Sequence, residues 1–471
     1  MRLHPNAATR RFALIAAATG MLGAIALPGR PVGLGLLLVS LGLVGSAATL
    51  HAFPGRGPHA ALLALALLLS CAAVLRDARW LVAIDLVAAA GLASLAASRG
   101  RAPAAGVRGV LGLVEHLPAA PAFAFWSTGL RLRSPGRVVI PPARGLILAA
   151  ALSLIFGGLF ASADAAFAQI TGDVLTPDVD LGLLPARLGI FAAVVGLAAG
   201  LVTVALAGAP RAGAQRDADA GRRAEWVTAV AVLDLLFAAF VVVQLTVLFG
   251  GHDHVLATTG LTYAQYAREG FVQLAVAALL TLGVIAAAWP HPRRLPGRPD
   301  TLEVLLGLLC VLTLVVLASA LRRLGLYEDA FGFTVARLSA QAMILWIGAV
   351  LVLVMAATLR RRTGWLALAI AGLTGASLLS FTLVNPEGLV AERNVERFRE
   401  QGRIDGEYLS HLSADATPAL AGLRGRRARC AVTRQAVRLD HEDGFFALNR
   451  ARERARRAIA GLDGRPSRAS C

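Results

Sequence analysis

The sequence contains no lysine; all 46 of its Lys-or-Arg positions are arginine. That absence removes whole classes of chemistry. No Walker lysine can grip a nucleotide phosphate, no Schiff-base lysine can form, and no catalytic Ser–Lys pair can exist. Cysteine is scarce, at four residues, with no CxxC or zinc spacing. Cys71 and Cys310 fall inside apolar runs. Cys430 and Cys471 share a polar tail and would pair only if that tail faces an oxidising compartment; two unpaired thiols are the simpler expectation. Aromatics are only 6% of the chain, so Ala, Gly, Leu and Val carry its apolar content.

What is present is hydrophobic length. Hydrophobic residues make up 57% of the chain, and apolar runs of about 18 or more recur along most of it, the pattern of helices that cross a bilayer. The fold class expected is therefore all-α, a polytopic transmembrane helix bundle, with small residues letting helices approach closely. The formal charge is +17. Much of it sits in short loops between apolar runs, where arginine acts as a topology signal rather than a nucleic-acid footprint. The expected partners are the lipid bilayer and an unknown small molecule, ion or envelope protein. Nucleic acid is not among them, and no cofactor is expected.

About eleven segments are read as spans, with edges uncertain by a few residues. Four fill an N-terminal region, 1–98: Phe12–Leu27, Val32–Leu50, His59–Leu75 and Trp80–Ser98. The first follows Arg10-Arg11 and has a signal peptide ending near Ala24-Ile25-Ala26 as its alternative. A basic region, 99–144, follows, with an interfacial or re-entrant piece at Val110–Phe125. Seven spans fill 145–384: Gly145–Ala168, Leu184–Ala207, Glu225–Gly250, Phe271–Trp289, Leu302–Leu321, Thr334–Thr358 and Gly364–Val384. Residues 385–471 change composition abruptly and read as a soluble helical tail. Its apolar stripes are Leu389, Val390, Val395 and Phe398, then Leu409, Leu412, Ala416 and Leu420. Ser413 and Asp415 are candidate caps, and a basic helix covers Phe446–Ile459.

Arginine clusters fall in alternate loops: Arg211 to Arg223, Arg293 to Arg298, and Arg360 to Arg362. Intervening loops carry Asp173, Asp178 and Asp180, then Asp253, then Glu328 and Asp329. Arg322 and Arg323 run against this pattern. The positive-inside rule places the N-terminus in the cytoplasm of a bacterial inner membrane and the tail outside.

An ionisable side chain deep in a span costs about 2.5–3.5 kcal/mol on insertion scales, so each invites a functional question. Asp234 lies nearest a helix middle. It is either a proton- or ion-coupling carboxylate or an interior Asp bonded to a neighbouring helix. A second set clusters at the outer boundary: Asp164, Tyr263, Tyr266, Arg268, Glu328 and Arg337, with Asp85, Arg187, Tyr327 and Asp329 at similar depth. These would line a polar vestibule or headgroup cleft, or form a structural ion-pair belt. Tyr327, Thr334, Arg337 and Gln341 would share a helix face if the turn at Gly332 does not break it. His252-Asp253-His254 has only two histidines and no third ligand nearby, a weak metal pattern, so no metal site is assigned. Gly33 and Gly35 read as packing glycines, not a phosphate loop. No catalytic residue is assigned: Ser162, Ser339 and Ser380 have no histidine near them in sequence.

Several motifs follow one another in order: Phe160-Ala161-Ser162-Ala163-Asp164-Ala165-Ala166-Phe167, Tyr263 through Phe271, Leu326 through Thr334 with Arg337, Asn385-Pro386, Ala391 through Asn394, and Tyr408 through Ala416. Together they resemble a bacterial multi-pass membrane family of unknown function, the DUF4153/DUF4173 group. The resemblance runs from about Gly145 into the tail. It implies an integral membrane protein and brings no activity with it. Three functions remain open: a transporter- or channel-like protein with an outward-facing polar site, a non-enzymatic envelope or regulatory scaffold whose tail binds a partner, and a membrane-embedded transferase acting on a lipid-linked substrate.

Overall fold

The computed structural model describes residues 18–49, 57–97, 141–164, 167, 215–249, 271–288, 300–360, 364–423, 432–434, 436–439 and 443–462. Tyr263, Tyr266, Arg268, Arg187, the His252–His254 box, Cys430, Cys471 and the expected spans' Leu184–Ala207 segment lie outside them, as does Val110–Phe125. Every described element is helical. The chain forms two compact units. One comprises Met1–Leu113, Phe331–Ala342 and Trp365–Cys471, and the other Val114–Ala330 with Met343–Gly364.

In the first unit, helix α1 (18–26) leads to α2 (Leu34–Thr49), α3 (Pro58–Ser70), α4 (Ala72–Leu75) and α5 (Arg79–Ala97). Proline in the first turn of α3 suits a position whose N–H has no helical acceptor. Leu62, Ala66 and Leu69 of α3 pack with Ala89, Leu92, Ala93 and Ala96 of α5. Alanine at these positions shortens the distance between helices, which is how apolar helices gain contact when lipid is as greasy as they are. Helix α11 (Leu366–Val384) joins them at Gly375, where an added Cβ would come within 2.7 Å of a Leu92 methyl.

The tail belongs to this unit. Asn385, at φ 60°, turns the chain out of α11 and accepts from the Gly388 N–H, opening α12 (Pro386–Gln401). Then come α13 (Gly406–His411), a 3-10 turn (Ala414–Ala416), α14 (Thr417–Ala421), a second 3-10 turn (Phe445–Ala447) and α15 (Arg450–Ala460). The second expected stripe, Leu409, Leu412, Ala416 and Leu420, is buried; of the first, Val390 and Val395 pack against it together with Ala391, and Leu389 and Phe398 are not part of the cluster. Ser413 is the cap that sequence suggests, accepting from the Asp415 N–H. Asp415 is not a cap; its carboxylate is used elsewhere. Gly33 is a packing glycine, and what packs on it is the tail: a Cβ there would meet the Ala447 backbone at 2.6 Å.

The second unit holds α6 (Pro141–Ala163), α7 (Gln215–Phe249), α8 (Phe271–Ala288), α9 (Thr301–Phe331) and most of α10 (Val335–Leu359). In a chain with so few aromatics, Phe156, Phe160, Phe167, Phe237 and Phe240 gather between α6 and α7. Phe160 and Phe240 stack at 4.1 Å and 9°. The N-terminus of α9 is pinned by Asp300, whose carboxylate receives the Arg223 guanidinium in a two-pronged contact.

Six described helical stretches are long and apolar enough to cross a membrane: Pro58–Leu75, Arg79–Ala96, Arg223–Gln244, Thr301–Asp329, Val335–Leu359 and Leu366–Val384. Three shorter apolar stretches accompany them, Leu34–Val44, Leu148–Ala163 and Gln273–Ala288. One sequence expectation is corrected here. Gly332, at φ 85°, ends α9 before α10 begins, so Tyr327 does not share a helix face with Thr334, Arg337 and Gln341.

Candidate functional site

The second unit carries two buried polar centres along α7 and α9. At the first, Asp164 follows the last turn of α6 and is 2% exposed. Arg323 of α9 pairs with its carboxylate and also donates to the Ala163 carbonyl at 2.9 Å. Gln244 of α7 donates to Asp164 at 2.5 Å and accepts from Arg323 at 2.8 Å and from the Ser319 hydroxyl at 2.7 Å. The Phe167 N–H closes the set at 3.1 Å. Three helices thus contribute to one ion-pair network in which each charge has hydrogen-bonded company. Such a network fixes helix register, and breaking it leaves a buried charge uncompensated. Arg323 is therefore an interior partner of Asp164, not a loop charge, which explains why it fits the arginine alternation poorly.

The second centre is Asp234, near the middle of the Arg223–Gln244 span and 4% exposed. Neither of its carboxylate oxygens has a hydrogen-bond partner among the described residues. Cys310 of α9 lies within electrostatic reach. Gln244 is further along the same helix, about 15 Å away at ~1.5 Å rise per residue. The sequence left two fates open for Asp234; among the described residues no neighbouring helix supplies the hydrogen bond that one of them requires.

At the corner between α4 and α5, the first unit builds a different kind of centre. Asp415 accepts from the Asp77 N–H at 2.7 Å, the Ala78 N–H at 3.2 Å and the Arg76 guanidinium at 3.4 Å. Arg76 also donates to the carbonyls of Thr382 and Leu383, at 2.7 and 2.8 Å, closing the C-terminus of α11. Glu387 accepts from the Trp80 indole at 2.9 Å and the Ser413 N–H at 2.5 Å. Asn449 caps α15 with its oxygen and donates to the Ala73 and Arg76 carbonyls with its nitrogen. Arg452, 5% exposed, pairs with Asp77 and Asp443 and donates to the Val32 carbonyl. Burial pushes the Asp415 carboxyl above the usual aspartate range, with the Asp77 N–H and Arg76 opposing it. Within the span formed by α5, Asp85 accepts from the Thr382 hydroxyl at 2.6 Å.

The same unit places the other motif residues. Asn394 accepts from the Phe333 N–H and donates to its carbonyl, at 3.3 and 2.8 Å. The Tyr408 hydroxyl accepts from the Val335 N–H at 2.8 Å, and burial first among several influences raises its pKa. Arg337 donates to the Gly332 carbonyl. These side chains stitch the tail to the α9–α10 turn.

Of the expected vestibule, Asp164 and Glu328 are buried in the second unit, and Arg337 belongs to the first. Arg76, Asp77, Glu387, Asn449 and Arg452 were not picked out by sequence reasoning. Arg76-Asp77 between two apolar runs was the available signal. Among the described residues, no group of three or more His, Cys, Asp or Glu is placed to hold a metal ion.

Apolar helices of spanning length around buried, paired charges define a helical membrane protein. Residues 63–423 match the family described as "Domain of unknown function (DUF4153)". The match covers most of the chain, and the protein belongs to the DUF4153 family. It starts well before the Gly145 that the motifs marked, taking in the Arg76–Asp85 stretch that holds the tail. No curated protein and no solved structure matches the chain.

Proposed function

We propose that this is a transporter- or channel-like protein of a bacterial inner membrane in which Asp234 binds and releases a proton. The observation that carries the reading is Asp234 itself: a midspan carboxyl, buried, with no donor among the described residues to hold it ionised. Ionised and alone, such a group is costly in an apolar interior, so holding it there needs a reason beyond packing. The Gln244–Ser319–Arg323–Asp164 network lies along the same helices and supplies polar groups between Asp234 and the helix ends. Arginine alternation orients the protein with its N-terminus in the cytoplasm and its tail outside. The tail's apolar stripes are buried within its own cluster, which weighs against a role as a free partner-binding arm.

The test is proton flux in proteoliposomes of the full chain, read by a pH dye trapped inside, under an imposed potential. The wild type is expected to acidify the lumen faster than protein-free vesicles, and Asp234→Asn to abolish the difference. Equal flux in wild type and Asp234→Asn removes Asp234 from the account.

A further inference from the structure

The first unit contains a cleft of about 1040 Å3 between the α4–α5 corner and the tail. Its carboxylates are already engaged. Asp77 is held by Arg452, Asp443 by Arg452 and Arg456, and Glu387 by the Trp80 indole and the Ser413 N–H. Three further arginines face the same cleft. Arg79 and Arg438 are exposed and have no carboxylate partner among the described residues. Arg30 donates to the Ile25 carbonyl and lies over the Phe446 ring at 5.1 Å, with no carboxylate partner among the described residues. The described lining of the cleft therefore has more cationic than anionic charge, with the surplus on planar guanidiniums suited to two-pronged contact with tetrahedral oxyanions.

Its position narrows the ligand. Arg79 is the first residue of an apolar span and Trp80 the second. Glu387 follows the end of another span, Leu366–Val384, almost at once. Arginine and tryptophan at helix ends meet the headgroup layer of a bilayer. We infer that this cleft binds a phosphate group, carried by the headgroup of an anionic lipid or free in solution, through Arg30, Arg79 and Arg438. The inference is independent of Asp234, which lies in the other unit.

Native mass spectrometry of the full chain in detergent tests it, titrating short-chain phosphatidylglycerol, phosphatidylcholine and inorganic phosphate. Phosphatidylglycerol is expected to bind at least about tenfold more tightly than phosphatidylcholine, the scale of one charge-assisted contact. Arg79→Gln with Arg438→Gln should erase that preference, and Arg79→Lys with Arg438→Lys should keep part of it. Arg403→Gln with Arg450→Gln, which removes equal charge outside the cleft, should leave it intact. Competition by inorganic phosphate identifies the phosphate alone as the recognised group; binding of the lipid without such competition identifies the headgroup in its membrane setting. Equal binding of the two lipids with no binding of phosphate overturns the inference. So does a preference that survives Arg79→Gln with Arg438→Gln, or one lost equally in the Arg403→Gln and Arg450→Gln control.

Discussion

The α4–α5 corner and the midspan of α7 both bury an aspartate, and they treat it in opposite ways. Asp415 is surrounded by two backbone N–H groups and a guanidinium, each of which would be left without its acceptor if the carboxyl were lost. Asp234 has no donor on either oxygen among the described residues. Burial alone therefore does not separate these two aspartates; the count of committed donors among the described residues does. A carboxyl that satisfies its neighbours holds elements together, whereas one that satisfies nothing is free to exchange a proton.

The largest effect should come from ending the chain after Val384. This strips Arg76, Asp77 and Trp80 of their tail partners, so the first unit is expected to lose cooperative folding, measured as protease resistance of the purified protein in detergent. Survival of that resistance would make the tail an ornament rather than part of the unit. Next is Arg323→Ala, which leaves Asp164 buried and uncompensated. The expected loss is about 3–5 kcal/mol by denaturant unfolding, and Arg323→Met with Asp164→Leu should recover much of it.

Asp415→Asn is expected to cost about 1–3 kcal/mol at neutral pH, because both carboxylate oxygens accept from donors and the amide replaces one of them with an NH2 group that cannot accept. Its pH dependence has a defined sign. The folded-state pKa is raised above the ordinary 3.8 by burial. The folded protein therefore holds this proton more tightly than the unfolded chain, and the contribution is full below 3.8 and lost as pH rises through the raised value. Wild type should thus gain stability relative to Asp415→Asn on acidification, in paired thermal melts at neutral and mildly acid pH. Tyr408→Phe, which removes one acceptor from the Val335 N–H, should cost about 1 kcal/mol. Asp234→Asn should change stability least, by under about 1 kcal/mol, because no donor loses a partner.

Much of the fold was legible in the residues. Apolar length marked the segments: Phe271–Ala288 differs from the sequence boundaries by one residue at one end and Val335–Leu359 by one at each end, and α9 runs past its expected end at Leu321 to Phe331. That overrun has a cause. Arg322 and Arg323 looked like loop charges, and a buried Asp164 more than a hundred residues earlier is what admits Arg323 to a helix interior. Periodicity registers neighbours along one helix and has no access to such a partner. The tail's docking was hidden for the same reason. Its stripes were readable, but Asp415 meeting the Arg76–Ala78 corner is a contact over 337 to 339 positions. The Tyr408 and Asn394 motifs were recognisable without their purpose being so. Each is a side chain satisfying one backbone turn, and only the folded chain says which. Asp234 was visible from the start as an acidic residue in an apolar run, but whether a neighbouring helix bonds it depends on partners that the run itself does not name.

The most direct measurement is labelling of carboxyls in intact membranes with dicyclohexylcarbodiimide, an apolar reagent that adds to protonated carboxyls within the hydrocarbon layer, with sites mapped by mass spectrometry. The account predicts modification at Asp234 that declines as pH rises, and none at Asp164, whose carboxylate is held by Arg323. Modification of Asp164 with Asp234 untouched at every pH would contradict it.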